Sequence, residues 1–195
     1  MKYEVSALSE TFSSLLSKNP IVAAIKDDAG LQAVQDSECF IVFVLYGNIC
    51  NISQIVKTLK EAGKLVFVHV DLLDGTSSKD IVLEFIRTST MADGIISTKA
   101  SIIKAARAQG LMSVHRFFLL DSLSLTSMAK QSGLSQPDCI EVLPGQMPKI
   151  LKQVVASTKL PVIAGGLIID KDDVITALGA GVAAISSTNP QVWSM

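Results

Sequence analysis

The sequence predicts an α/β fold, a (β/α)8 barrel of the TIM type, and two features carry that prediction. Eight short apolar segments alternate with segments whose apolar residues recur at helical spacing. Strands separated by helices indicate a parallel sheet, because parallel neighbours need a long crossover connection. The strands are uniformly short and no edge strand is marked by charges, which favours a closed barrel. An open doubly wound sheet stays the alternative, although no G-x-G-x-x-G follows the first strand.

The predicted elements follow one another regularly, and each strand is a short run dominated by apolar residues. The strands cover residues 20–25, 40–46, 65–71, 94–98, 112–118, 139–143, 161–164 and 182–186. Helical spacing is clearest after the second and sixth strands, in the sets Ile52, Ile55, Val56, Leu59 and Ile150, Leu151, Val154, Val155. Four glycines fall where a left-handed helix C-cap is expected: Gly63, Gly110, Gly133 and Gly179.

Composition predicts one domain over residues 1–195 and limits the function. Hydrophobic residues make up 49% and charged residues 18%, which suits a core apolar on both sides of many strands. The net charge is −1, so no overall positive field attracts nucleic acid, although a local basic patch stays open.

The same composition predicts the compartment. Cys39, Cys50 and Cys139 form no C-x-x-C, which indicates buried, reduced thiols in a cytoplasmic protein. The first twenty residues lack a continuous apolar run, so we expect no signal peptide. No run reaches the ~18 apolar residues of a membrane span, so we expect a soluble protein without membrane contact.

Polar and glycine residues concentrate where the predicted strands end. In a barrel the functional site lies at the carboxyl ends of the strands, where the following loops meet. The strand interiors are almost wholly apolar, so this asymmetry is the strongest functional signal in the sequence. The residues at the eight ends are Lys26; Tyr46, Gly47 and Asn48; His69 and Asp71; Ser97, Thr98 and Lys99; Arg116; Glu141; Gly165 and Gly166; and Ser186, Ser187 and Thr188.

The last two strand ends predict a phosphate-binding cup. Gly165 and Gly166 let backbone N–H groups approach an anion, and the hydroxyls of residues 186–188 add donors. Asn189 followed by Pro190 is typical of a helix N-cap, so a helix dipole could also point inward. Alternatively, the two glycines only turn a tight loop.

Three cations are candidates for contact with the same anion: Lys26, Lys99 and Arg116. Arg116 is the most informative, since it lies within "SVHRFFLLD", a largely apolar segment in which a charged side chain has no obvious route to solvent. The alternative for Arg116 is a salt bridge to Glu141 on the next strand. The two interpretations are compatible, because Glu141 can orient the arginine that contacts the ligand.

His69 and Asp71 are two residues apart on the predicted third strand, so we expect them to share one face. Such a pair can perform acid–base chemistry or only hydrogen-bond a small polyol, and we favour the second. His115 lies on the opposite face of its strand from Arg116 and is interpreted as a packing residue.

These strand-end phrases resemble one known family. "HVDLLDG", "GIISTK", "HRFFLLDS", "PDCIEVLPG", "VIAGGLI", "AGVAAISST" and the late Trp193 are similar, in this order, to the glycerol-3-phosphate-responsive antiterminators, the glycerol uptake operon antiterminator regulatory proteins of bacteria. The resemblance covers nearly the whole chain. The sequence departs at His115, where a glutamine is expected, and in the loop "LLDGTSS" after Asp71.

The resemblance implies a compact barrel that binds glycerol 3-phosphate and, when liganded, acts on a leader mRNA so that transcription passes a terminator. It places Gly165, Gly166, Ser187 and Thr188 in the phosphate cup. The other implied ligand contacts are His69, Asp71, Lys99 and Arg116. It implies a regulator and not an enzyme, with no catalytic residue, metal or cofactor besides the effector.

Other functions and surfaces stay open. The alternative function is an isomerase or aldolase of a small phosphorylated sugar or polyol; a binding or scaffolding domain is a weaker option. An aldolase needs a Schiff-base lysine inside a strand, whereas Lys26 and Lys99 stand at or past their strand ends. A homo-oligomer is one option, with Trp193 in self-association or in packing. Three basic groups, each more simply a solvated face, are Lys57, Lys60 and Lys64; Lys99, Lys104 and Arg107; and Lys149, Lys152 and Lys159.

Overall fold

The computed structural model of the chain describes residues 5–76 and 79–195, with side chains from residue 12 onward. Eight parallel strands close into a barrel in the order β1 to β8, and β1 pairs with both β2 and β8. This closure confirms the predicted (β/α)8 fold and excludes the open sheet. The strands are β1 Ile21–Ile25, β2 Ile41–Val44, β3 Leu65–His69, β4 Gly94–Ser97, β5 Met112–Phe118, β6 Cys139–Leu143, β7 Val162–Gly165 and β8 Ala184–Ser187.

Helices surround the barrel and connect its strands. They are α1 Val5–Lys18, α2 Asp28–Gln35, α3 Ile52–Glu61, α4 Ile81–Ser89, α5 Ala100–Ala108, α6 Ser122–Ser135, α7 Pro148–Ser157, α8 Lys171–Gly179 and α9 Pro190–Trp193, with a 3-10 turn at Val70–Leu72. The helix α1 was not predicted. Its Phe12 and Leu16 are fully buried against the barrel interior, and the Phe12 ring lies 5.1 Å from Phe67.

Side chains inside the barrel change from apolar to polar along the strands. Every second residue faces inward, as the pleat requires, and the inner cluster contains Phe67, Val114, Cys139, Ile163 and Ala184. Two residues further along the same strands, the same face carries His69, Arg116, Glu141, Gly165 and Ser186. The barrel therefore ends at its carboxyl-terminal mouth in one polar layer.

The glycine caps agree with the sequence at two of four positions. Gly63 and Gly110 have φ values of 74° and 73°, as expected for left-handed caps. The prediction was wrong for Gly133, which lies inside α6, where Gln136 takes the left-handed position with φ 50°. It was also wrong for Gly179, the last residue of α8, because Gly181 adopts the positive φ.

The predicted burial of the thiols holds for two of the three. Cys39 and Cys139 are buried and Cys50 is exposed in the loop after β2, which corrects the expectation for Cys50; all three are free. Trp193 packs inside, and its indole Nε1 donates to the Ser187 carbonyl at 2.8 Å. Within residues 5–76 and 79–195, no helix has the length and apolar character that crossing a membrane requires.

Candidate functional site

A buried ion pair forms the centre of the polar layer. Strands β5 and β6 place Arg116 directly beside Glu141, and the Arg116 Nε atom donates to Glu141 Oε2. The Ser186 hydroxyl donates to the other carboxylate oxygen at 2.6 Å. Glu141 is fully buried and Arg116 nearly so. The salt bridge considered for Arg116 is therefore confirmed, and both Glu141 oxygens are satisfied, as a buried carboxylate requires.

The guanidinium of Arg116 keeps unused hydrogen-bonding capacity. Its Nε atom is committed to Glu141, whereas Nη1 and Nη2 make no hydrogen bond with the described part of the chain. Arginine carries five N–H donors in a rigid fork, so the remaining donors suit a planar or tetrahedral oxyanion. Glu141 thus fixes a cation at the base of the mouth.

Gly165 is glycine because of the carboxylate opposite it. A Cβ atom at this position would lie 2.6 Å from Ser186 Oγ and 2.7 Å from Glu141 Oε1. Both contacts are closer than Cβ atoms tolerate, so any larger residue would displace the ion pair. The sequence suggested that Gly165 leaves space for an anion, and the structure adds this independent reason.

His69 is buried in the same layer with one nitrogen lacking a partner. Its side chain is 3% exposed, and within the described residues Nδ1 has no hydrogen-bond partner. Burial first, and then the Arg116 charge, lower the pKa of His69 to about 4. The imidazole is consequently neutral at pH 7, with an unpaired polar atom at the mouth. Such atoms are rare in native interiors and indicate an absent partner.

Asp71 organises the end of β4. Its carboxylate accepts hydrogen bonds from the Ser97 hydroxyl at 2.9 Å and from the Thr98 N–H at 2.7 Å, and Lys99 Nζ lies 3.7 Å away. Burial alone would raise the pKa of Asp71, but the hydrogen bonds from Thr98 and Ser97 outweigh it and lower the pKa. Asp71 is therefore held in its ionised form, and most of the hydrogen-bonding capacity of its carboxylate is used.

The reason given for pairing His69 with Asp71 was wrong. The strand β3 ends at His69, and Asp71 lies in the 3-10 turn Val70–Leu72, where the two-residue alternation of a strand no longer applies. The two groups still influence each other, since the Asp71 charge raises the pKa of His69 against the stronger opposing effects.

The loop after β7 is built from left-handed residues with occupied carbonyls. Gly166 and Leu167 have φ values of 74° and 61°. The Gly166 carbonyl accepts from Gly145 N at 3.0 Å, and the Ile168 carbonyl accepts from the Ser187 hydroxyl at 2.7 Å. Within residues 5–76 and 79–195, the N–H groups of Gly166 and Leu167 donate to no loop or cap acceptor. The loop therefore has backbone N–H groups available as donors, whereas the carbonyl acceptors of Gly166 and Ile168 are already engaged.

The end of β8 differs in part from the predicted cup. The Ser187 hydroxyl donates to the loop carbonyl of Ile168 and accepts from Asn189 N at 3.1 Å, so it braces the loop after β7. Thr188 is exposed at the mouth, as is Lys26 after β1. Asn189 caps α9 as predicted, by accepting from Gln191 N, but α9 has only four residues and a correspondingly small dipole.

Sequence reasoning missed the apolar rim of the mouth. Phe118, Leu120, Leu123, Leu167 and Ile169 are all more than half exposed, and they lie in or beside the loops after β5 and β7. Phe118 is two residues beyond Arg116 on the inward face of β5, so strand alternation was the signal that would have placed it.

His115 and the first basic group, Lys57, Lys60 and Lys64, lie away from the mouth. His115 packs outside the barrel: it is fully buried, and its Nδ1 lies 2.9 Å from the Ser135 hydroxyl, which confirms its interpretation as a packing residue. In the first basic group, Lys60 pairs with Asp93 at 2.6 Å and Lys64 is buried and donates to the Ser37 carbonyl. That group is therefore largely tied into the fold.

These features define a class of protein: a (β/α)8 barrel with a buried ion pair and a donor-rich glycine loop at its carboxyl-terminal mouth, the end where barrels of this fold carry their sites. The chain belongs to the glycerol-3-phosphate responsive antiterminator family, whose model matches residues 21–193. The resemblance seen in the sequence is thereby confirmed.

Individual relatives agree with this assignment. An Escherichia coli K12 protein, "Uncharacterized protein YgcP", is 55% identical over 181 residues, 93% of this chain and 95% of its own. The crystal structure of the glycerol uptake operon antiterminator regulatory protein from Listeria monocytogenes superposes with a TM-score of 0.85, at 29% identity over 89% of this chain and 94% of that one. An antiterminator-related protein from Thermotoga maritima gives 0.81, at 31% identity over 91% and 99%.

Proposed function

We propose that the protein is a ligand-sensing regulator that binds glycerol 3-phosphate at the carboxyl-terminal mouth and, when liganded, acts on the leader mRNA of glycerol-uptake genes to prevent termination. One observation carries the ligand: within residues 5–76 and 79–195, a loop whose N–H groups reach no loop or cap acceptor stands beside a buried layer in which the Arg116 Nη atoms and His69 Nδ1 make no hydrogen bond. Family membership supports the regulatory action.

The phosphate binds the loop after β7. Successive N–H groups in turns can form concave sites for anions, and the N–H groups of Gly166 and Leu167, in a turn with two positive φ values, are the donors assigned to this role. Gly165, Ser187 and Thr188 shape and flank the loop. The exposed amine of Lys26 and the Nη atoms of Arg116 add positive charge.

The glycerol end lies over the polar layer. His69 Nδ1 accepts from one hydroxyl group, which removes the unpaired atom. Ser186 and Glu141 hold Arg116 in place for a second hydroxyl, and Asp71 keeps Lys99 at the rim. The neutral imidazole suits an uncharged polyol, whereas the loop suits its dianionic phosphate.

Calorimetry with glycerol 3-phosphate, glycerol and inorganic phosphate tests the site. Arg116→Lys keeps the charge beside Glu141 but loses the fork, so we expect glycerol 3-phosphate to bind at least about tenfold more weakly. His115→Gln, on the opposite face of β5, serves as the matched control and should bind normally. Equal affinity of the wild type and Arg116→Lys would overturn the assignment.

Mobility-shift and transcription read-through measurements test the regulatory step. Leader RNA of glycerol-uptake genes should bind more tightly, and read-through should rise, when glycerol 3-phosphate is added, because a ligand shifts a population by binding one state better. Identical RNA binding with and without the ligand would remove the sensing mechanism.

The enzymatic alternative finds less support. Aldolase barrels do superpose, such as the deoxyribose phosphate aldolase of Aeropyrum pernix with a TM-score of 0.70, but at 13% identity this shows the fold alone. None of the eight described strands contains a lysine, so no Schiff-base residue is offered inside the barrel. The polar layer instead pairs its charges with each other.

A further inference from the structure

Charge is distributed unevenly around the barrel. Three consecutive helices, α5, α6 and α7, contain basic residues and no aspartate or glutamate. Their basic residues are Lys104, Arg107, Lys130, Lys149 and Lys152. The helices α2, α3, α4 and α8 each contain at least one acidic residue. A chain with a net charge of −1 therefore presents one strongly positive sector.

The positive charges of this sector are available to solvent. Lys104, Arg107, Lys130, Lys149 and Lys152 are all exposed, as is Lys159 in the loop after α7. Two carboxylates border this sector and both accept hydrogen bonds: Asp121 caps α6 by accepting from the Ser124 N–H at 2.7 Å, and Asp138, which also lines a cleft in this sector, accepts from the Ser113 N–H at 2.8 Å. We call this surface, formed by α5, α6, α7 and Lys159, the basic face.

A cleft opens within the basic face. Its volume is about 570 Å³, and it is lined by the carboxyl-terminal turns of α5 and α6 and by the loop after α7. Its lining includes Arg107 and Lys159, the polar residues Ser132 and Gln136, and the carboxylate of Asp138, and the Arg107 Nη1 atom donates to Gln136 Oε1 at 3.3 Å. Gly133 lines it too, and a Cβ there would meet no atom within 4 Å, so the helix backbone itself is approachable.

We propose that the basic face binds single-stranded RNA, with its exposed cations along the phosphates and one splayed base in the cleft. This proposal rests on the proposed function and names the surface that contacts the message. Arginine planes stack on bases and amide groups read base edges, so Arg107 and Gln136, which are hydrogen-bonded to each other and both exposed, suit a base. A cleft of this volume is within the range of small-molecule sites.

The concave shape favours a nucleic-acid strand over other polyanions, and the proposed function makes that strand the leader RNA. An anionic membrane is flat and would leave the cleft unused, although it would meet the same lysines. An acidic peptide would pair with the charges but needs no cavity of base size. A nucleic-acid strand is the polyanion that uses both the exposed cations and the cleft.

The basic face is connected to the proposed ligand site through the chain. The helix α5 follows β4 and Lys99, α6 follows β5 and Arg116, and α7 follows β6 and Glu141. Of the fourteen residues of α6, the buried ones are only Met128, Ser132 and Ser135, so this helix is weakly anchored. Arg116 lies near the end of β5 from which α6 leaves, whereas the cleft is lined by the opposite, carboxyl-terminal turn of α6, so a ligand that fixes Arg116 can influence the cleft only along the length of this helix.

A charge-neutralising variant tests the basic face. Fluorescein-labelled leader RNA is titrated with the wild type and with Lys104→Gln/Arg107→Gln/Lys159→Gln, both with saturating glycerol 3-phosphate, between 50 and 300 mM KCl. We expect the variant to bind at least about tenfold more weakly, and the slope of log K against log salt to fall by about 2, because each phosphate contact on a single strand contributes about 0.7.

The matched control removes the same charge elsewhere. Lys57→Gln/Arg87→Gln/Lys171→Gln changes exposed cations on α3, α4 and α8, and it should retain wild-type RNA affinity and slope. Calorimetry with glycerol 3-phosphate should show normal binding for both triple variants, which verifies that each is folded.

The outcomes separate this proposal from the proposed function. If both triple variants lose RNA affinity equally, or neither does, while the wild type responds to glycerol 3-phosphate, the basic face is wrong and the regulator stands. If the wild type binds no leader RNA, the regulatory action and the basic face both fail. If Lys104→Gln/Arg107→Gln/Lys159→Gln loses wild-type binding to phosphatidylglycerol vesicles but keeps wild-type binding to RNA, the basic face binds a membrane and the RNA proposal is overturned.

Discussion

At the scale of single residues, His69 shows a conflict between stability and binding. Its Nδ1 atom is buried without a partner in the described chain, a situation that costs about 1–3 kcal/mol. The surrounding barrel nevertheless keeps an imidazole there, next to the Arg116–Glu141 pair. Residues that lower stability while supporting a site are typical of binding surfaces.

Replacing His69 should therefore stabilise the protein and weaken the binding of glycerol 3-phosphate. For His69→Leu we expect the free energy of unfolding to rise by about 1 kcal/mol, because the unsatisfied nitrogen is removed, and glycerol 3-phosphate affinity to fall. Urea unfolding and calorimetry measure the two effects. His115→Leu is the contrast: both its ring nitrogens lie near polar partners, so it should destabilise and leave the affinity intact. A destabilised His69→Leu variant would contradict the interpretation.

The pH dependence of stability should follow the same residue. The pKa of His69 is about 4 in the folded protein and ordinarily 6.5, because burial and the Arg116 charge outweigh Asp71 and Glu141. Between those values the unfolded chain binds a proton that the folded chain excludes, so the free energy of unfolding falls as pH drops from 6.5 to 4. The loss should be about 3 kcal/mol, and stability is complete above pH 6.5.

Urea unfolding at several pH values measures this loss. The free energy of unfolding of His69→Leu should change less with pH over the same range. The change that remains belongs partly to His115, because burial lowers the pKa of that residue too. Identical profiles for the wild type and His69→Leu would show that another group titrates.

At the scale of the element, the loop after β7 depends on two left-handed residues, of which only Gly166 is a glycine. Leu167 adopts φ 61° and is 64% exposed, so its conformation costs energy that packing of its side chain does not return. The loop is held by bonds to its carbonyls from Gly145 and Ser187.

Substitutions at Leu167 should separate backbone conformation from side-chain chemistry. Leu167→Val should lower the free energy of unfolding by about 1–2 kcal/mol and weaken phosphate binding, because β-branched residues avoid positive φ. Leu167→Gly should keep the affinity for inorganic phosphate and glycerol 3-phosphate. Thermal unfolding and calorimetry measure both; equal affinity in the two variants would show that the loop conformation does not matter for the anion.

The sequence predicts where the strands lie better than it predicts why particular residues occupy particular positions. All eight strands follow from apolar runs, and the adjacency of Arg116 and Glu141 follows from their places on consecutive strands. The role of Gly165 does not follow, because it depends on Glu141 from the strand before it and Ser186 from the strand after it. Asp71 was misplaced because nothing in "HVDLLDG" marks where the strand gives way to a 3-10 turn.

At the scale of the whole molecule, the barrel separates its stability from its site. The amino-terminal end is closed by Phe12 and Leu16 of α1, which pack on Phe43 and Phe67 among apolar side chains. The carboxyl-terminal mouth holds the polar layer. The two ends share strands but no side chain, so damage at the closed end should not reach the ligand contacts.

Phe12→Ala tests this separation. The ring is fully buried and contacts Phe67, so its loss should lower the free energy of unfolding by about 3–5 kcal/mol. Affinity for glycerol 3-phosphate, measured by calorimetry at a temperature where the variant remains folded, should stay within about twofold of the wild type, since the layer around Arg116 is unchanged. A marked loss of affinity in folded Phe12→Ala would mean that packing at the closed end is transmitted to the mouth. The barrel would then act as one cooperative switch instead of a rigid support for its loops.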